Sequence, residues 1–177
     1  MGSAMLIQNQ AAADDDFQDK AAFSNLIAVN ITYGNGTAAN DLDTEIGGEA
    51  SLAVRILYEH FINCESSRIT FEEFAKGNVK SLRLDTAISL VVLNRDGRAQ
   101  DTPTVFVLGI DEINLLHVIN QEILCHIVHA IGSRSCQYQT GNVFFIPILC
   151  GTIQGPMEQL VREVFCIYHS LSSPMKT

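Results

Sequence analysis

Thr104-Val-Phe-Val-Leu-Gly-Ile-Asp-Glu112 is the stretch on which the fold turns. An apolar run of this length, opening directly after Pro103, reads as a strand buried on both faces, as in a parallel sheet. It closes on two carboxylates, and the carboxyl ends of strands are where open α/β sheets place their ligand chemistry. A strand ending in paired acids resembles the Walker B arrangement of P-loop ATPases. There the first acid holds Mg²⁺ and the second orients the attacking water.

Two further strands flank this one in sequence. Leu26 to Tyr33 is β-rich and apolar, and Gly34-Asn-Gly-Thr37 ends it sharply. Residues 142–149 form a second buried run, broken by Pro147, which places it at a sheet edge or at its own end. Between the strands the periodicity turns helical. Leu52, Ile56, Leu57 and Phe61 imply a helix over Gly48–Asn63, after an acidic loop holding Asp41, Asp43 and Glu45. Thr70-Phe-Glu-Glu73 matches a capping box and starts a short helix. Ser81–Leu93 reads as another, ended by the Asn94–Gly97 turn. A long helix runs from about Ile113 to Ile131, with Gly132 as its stop signal. Gly155-Pro156 opens a last one, lined by Leu160, Val164, Phe165 and Tyr168. Alternation of this kind predicts an α/β fold: three-layer α/β/α with a short, mainly parallel sheet and right-handed crossovers.

The 177 residues, 47% of them apolar, suffice for one well-buried domain, drawn here over residues 23–172 with a tail at 173–177. Residues 1–22 read as a loose acidic arm (Asp14, Asp15, Asp16, Asp19), and Met1-Gly-Ser-Ala-Met5 as an expression scar with a second start. The net charge of -9 and scattered basic residues argue against direct nucleic-acid binding, which needs clustered Lys and Arg. No run approaches the roughly 18 apolar residues of a membrane span, and no secretory signal is visible. Five cysteines without CxxC spacing fit free thiols better than a disulfide framework.

Four motifs in order narrow this reading: Ile31-Thr-Tyr-Gly-Asn-Gly-Thr37, Leu52-Ala-Val-Arg-Ile-Leu-Tyr58, Leu108-Gly-Ile-Asp-Glu-Ile-Asn114 and Ile146-Pro-Ile-Leu-Cys-Gly-Thr152. Over about residues 24–170 the chain resembles the NTPase domain of Crinkler effectors and the related retrotransposon hot spot proteins, themselves of the RecA/AAA+ kind. The resemblance implies Asp111 as Mg²⁺ ligand, Glu112 as the water-orienting residue and Thr152 as the polar sensor. It also matches Thr32 and Thr37 to family threonines, and implies a secreted protein acting in the host nucleus or cytoplasm. The phosphate loop of intact members is missing. Gly34-Asn-Gly36 is not G-x-x-x-x-G-K-[ST], and before residue 76 the only lysine is Lys20, in no glycine context. A phosphate cradle needs successive backbone N–H groups at a helix N-terminus and that lysine.

The expectation is therefore a truncated P-loop-NTPase-like core without ATP hydrolysis of its own. No cofactor is expected, Mg²⁺ and ATP entering only if a phosphate loop is supplied elsewhere. Without a phosphate-loop strand, strand 142–149 becomes an exposed apolar edge, and such edges recruit partners. A homo-oligomer, in first place a dimer, follows, with a host protein as another candidate partner. Two alternatives stay open: a fragment of an active Mg²⁺-dependent ATPase, and a metal-binding interaction module. The second rests on Glu122, Cys125, His126 and His129, which share one arc of a helix and could take Zn²⁺ or another thiophilic metal. Its rival is a solvated helix face with one half-buried cysteine. Cys150, at a strand end without a His–Asp partner, reads as a small core residue.

Overall fold

The computed structural model describes residues 25–34, 37–63, 68–76, 81–95, 103–136 and 143–151, with Arg162. Three strands, β1 (Leu26–Thr32), β2 (Thr104–Asp111) and β3 (Val143–Leu149), form one sheet in the order β1-β2-β3. Both pairings are parallel, in register Thr32↔Asp111 and Ile110↔Leu149. The chain is an α/β protein whose central strand is the acid-tipped one.

Helices α1 (Asp41–Ile46), α2 (Gly48–Leu57), α3 (Phe71–Ala75) and α4 (Leu84–Leu93) connect β1 to β2. Helices α5 (Leu115–Ile119) and α6 (Gln121–Cys136) connect β2 to β3. Two parallel crossovers of the same hand, stepping the same way across the sheet, must lay their helices on the same face. The main core records this: Ile27, Val29 and Ile31 of β1 and Phe106, Leu108 and Ile110 of β2 pack with Leu52, Ile88 and Ile127 from the helices. Each such side chain contributes roughly 1.5–3 kcal/mol by leaving water. The opposite face carries a smaller cluster of Leu26 and Val107, with Ala28, Val105 and Ile148 against it. The expected third layer rests on the helix read from Gly155, which lies outside the described residues, as do the acidic arm and the tail.

Local chemistry explains where the helices depart from the periodicity reading. The acidic loop at 41–45 is helix α1, because Asn40 accepts from Leu42 N–H and donates its own N–H to Asp43, a capping box. Thr70 and Glu73 form the capping box expected for α3. Helix α2 ends at Leu57 and continues as a π-turn over Tyr58–Ile62. The long helix predicted from Ile113 is two helices, because Asn120 is extended (φ -161°, ψ 108°) and breaks the ladder. Gly132 does not stop α6, which runs on to Cys136 with Gly132 buried inside it. No described helix is long and apolar enough to cross a membrane.

Candidate functional site at the strand tips

Backbone bonds bring the three carboxyl ends level. Tyr33 N–H donates to Asp111 O (3.0 Å) and Cys150 N–H to Ile110 O (2.8 Å). Thr32, Asp111 and Cys150 therefore stand in one row at the end of the sheet, the position parallel α/β sheets use for ligands. Asp111 is exposed, and its Oδ1 accepts from Glu112 N–H at 2.9 Å. Glu112 is the one non-glycine residue with positive φ among the described residues, at 52°. Such a conformation costs an L-residue on the order of 1–3 kcal/mol and persists only where the surroundings impose it.

The surroundings here are the β1 loop. A Cβ built on Gly34 would fall 1.3 Å from Glu112 Oε2, so the carboxylate lies directly over that glycine. On the far side, a Cβ on Gly151 would come within 2.6 Å of Asn114 Oδ1. The buried Asn114 thus spans from the β2–α5 turn to the end of β3. Two glycines make room for two polar side chains of one turn. Thr32 and Thr37 serve the loop itself. Thr32 Oγ1 accepts from Gly34 N–H (2.9 Å), and Thr37 Oγ1 donates to Thr32 O (3.0 Å). Thr152 lies outside the described residues.

Behind this loop sits a polar cluster that sequence reasoning did not single out. Arg55, on the otherwise apolar α2, is buried with Asp43 and meets both its carboxylate oxygens at 2.9 Å. It also donates to the carbonyls of Thr32 (3.0 Å) and Thr37 (2.5 Å), and so ties both ends of the loop to α2. Its guanidinium lies between the rings of Tyr33 (4.2 Å) and Phe71 (4.3 Å), a stacking that suits the planar cation. Ser51 donates to Asp43 and stands 3.5 Å from the Tyr33 hydroxyl. Burial pushes the Tyr33 phenol up to about 12, against the opposing pull of Arg55. The only sequence signal was a lone arginine in Leu52-Ala-Val-Arg-Ile-Leu-Tyr58, a position where an unpaired charge would be costly.

The Cys/His set on α6 does not assemble. His126 and His129 are exposed, Cys125 is half-buried, and His126 stands 3.8 Å from Glu122. No group of three His, Cys, Asp or Glu placed to hold a metal ion occurs among the described residues. Cys150 is half-buried at the strand end.

Strands β1 and β3 are the two edges of the sheet among the described strands. In a parallel ladder alternate residues turn both backbone groups to the same neighbour. Since Cys150 N–H points to β2, the odd-numbered residues of β3 face outward. Pro147 is one of them, so the missing N–H falls on the open edge, where proline is tolerated. Phe144 (52% exposed) and Ile146 (46%) alternate with it and project to the face away from the helices.

These features define a small α/β domain with a parallel sheet and an acid-tipped strand at the centre of its described strands. No protein-family model matches the chain, and neither a curated protein nor a solved structure is similar to it.

Proposed function

We propose that this chain is an NTPase-like module of Crinkler type, without a phosphate loop, that works by protein association rather than by ATP hydrolysis. The partner in first place is a second copy, giving a homodimer, with a host protein as the other candidate. The observation that carries the reading is the pair Phe144 and Ile146, large apolar side chains about half exposed on an edge strand. Side by side on an edge, such residues favour a partner that removes them from water. Pro147 leaves the outward row of β3 one donor short, so the apolar pair, more than continuous strand pairing, supplies the contact. By family analogy the module is secreted into a host cell and acts in its nucleus or cytoplasm.

Light scattering at micromolar concentration tests association. The expected result is a dimer that Ile146→Lys converts to monomer with an unchanged circular dichroism spectrum. A monomeric wild type sinks the reading.

A second reading is favoured by the geometry of Glu112, whose left-handed backbone and contact with Gly34 suit a retained acid pair. In it, Asp111 and Glu112 are the Mg²⁺ and water half of an ATPase site completed by a phosphate loop on another strand. Mg²⁺-dependent ATP turnover, abolished in Glu112→Gln, would establish it. The finer metal reading, a thiophilic ion on Cys125, His126 and His129, is retired if the metal content of chelator-free protein is unchanged in His126→Ala/His129→Ala.

A further inference from the structure

A cleft of about 730 Å³ opens on the outer side of the helical layer, between the N-terminal ends of α2 and α4 and the flank of α6. It shares no residue with the strand-tip site. Its polar wall holds Arg83, Arg134, His126, His129, Ser81 and Ser133, together with the carboxylates Glu49 and Asp85. In a chain with 11 Lys and Arg, five His and a net charge of -9, two arginines and two histidines gathered in one cleft stand against the overall charge.

The carboxylates are engaged by the fold. Glu49 Oε1 accepts from Leu84 N–H at 3.0 Å and so caps α4, whose N-cap Arg83 offers no side-chain acceptor. Asp85 Oδ1 faces Arg134 Nε at 3.1 Å, an ion pair that leaves both atoms without a hydrogen bond. Each arginine carries five N–H donors and meets a single carboxylate. Arg83 is 71% exposed and lies 3.8 Å from Glu49. Arg134 is the more telling: only 10% of its side chain is exposed, and the contact with Asp85 is ionic without alignment, so its buried Nε makes no hydrogen bond. A buried guanidinium N–H without a hydrogen bond is costly, and the rest of this side chain lines an open cleft. Gly47 and Gly48 line the same cleft, and a Cβ on Gly47 would meet nothing within 4 Å.

We propose that this cleft binds the phosphate group of a small phosphomonoester. The donor surplus, two guanidinium groups, two imidazoles and two hydroxyls, exceeds what the two oxygens of a carboxylate can accept, and suits the three terminal oxygens of a phosphate. The volume greatly exceeds a free phosphate ion, and the apolar lining by Ile46, Leu82 and Ala130 receives the organic part of the ester. The proposal is independent of the association reading, because β3 takes no part in the cleft.

Amide chemical shifts followed during titration with phenyl phosphate, and separately with inorganic phosphate, test it. Phenyl phosphate is expected to saturate shifts at Gly47, Gly48, Ser133 and Arg134, with inorganic phosphate binding the same residues more weakly. Arg83→Ala, at an exposed position, keeps the native spectrum and loses about tenfold in affinity, as expected for one charge-assisted bond. Glu112→Gln binds as wild type. Absence of saturation into the millimolar range overturns the proposal. So does wild-type affinity in both Arg83→Ala and His129→Ala, or shifts confined to Gly34, Asp111 and Glu112.

Discussion

Arg55→Met is the substitution that most directly probes what holds the strand-tip loop. Arg55 and Asp43 are 2% and 1% exposed, so solvent screens neither. The substitution keeps the length and apolar stem of the side chain but removes both bonds to Asp43 and those to the carbonyls of Thr32 and Thr37. Asp43 is left as a buried carboxylate supported by Asn40 N–H and the Ser51 hydroxyl alone. Removing one partner of such a pair costs about 3–5 kcal/mol, mostly as the penalty of the stranded charge. That is a large part of the 5–15 kcal/mol typical of a whole domain. Asp43→Asn in the same background removes the stranded charge, so the double variant should be less destabilised than the sum of the singles by about 1–3 kcal/mol. Urea unfolding followed by circular dichroism, with the slope checked for constancy, measures all three. A cost below about 1 kcal/mol for Arg55→Met, or strict additivity in the cycle, would refute the reasoning and make the cluster a solvated contact.

Three further outcomes follow from single contacts. The Tyr33 phenol is raised by burial to about 12 when folded, against about 10 for an ordinary tyrosine. The unfolded chain therefore ionises first, and stability present below pH 10 is lost as pH rises toward 12. The loss is on the order of 2–3 kcal/mol by linkage, and Tyr33→Phe should abolish that slope in alkaline unfolding curves; an unchanged slope counts against the assignment. Glu112→Gly, which relieves the φ of 52°, should raise stability by about 1 kcal/mol, whereas Gly34→Ala should cost less than about 1 kcal/mol because the clashing atom is the end of a flexible side chain. Thermal melts rank the two, and a destabilised Glu112→Gly variant would contradict the strain. Gly48→Ala should behave differently: its Cβ would lie 2.6 Å from the Ile123 carbonyl and 2.8 Å from His126 Cβ. The clash of α2 with α6 should outweigh the better helix propensity and cost about 1–3 kcal/mol in urea unfolding.

Much of the fold was legible because its signals are local and short in range. Continuous apolar runs reveal buried strands wherever they lie, and Pro147 revealed an edge because a missing N–H has no other comfortable place. The capping box at Thr70 and Glu73 spans a single turn and needs no tertiary partner. The acidic segment at 41–45 misled because its cap is an Asn–Asp pair outside the Ser/Thr–Glu pattern. The run from Ile113 misled because apolar periodicity carries through Asn120 without showing the extended residue that divides it.

The sequence by itself determined the strand set, the parallel α/β class and the position of Asp111 and Glu112 at a strand tip, since each depends on hydrophobic period and neighbouring residues. The tertiary structure alone decided that Glu112 lies over Gly34, that Arg55 pins the loop between two rings, and that Arg83 meets Arg134 and the histidines of α6 in one cleft. Those contacts join residues far apart in the chain. Their energies come from burial and close approach, which are properties of the packed molecule and not of any segment in it.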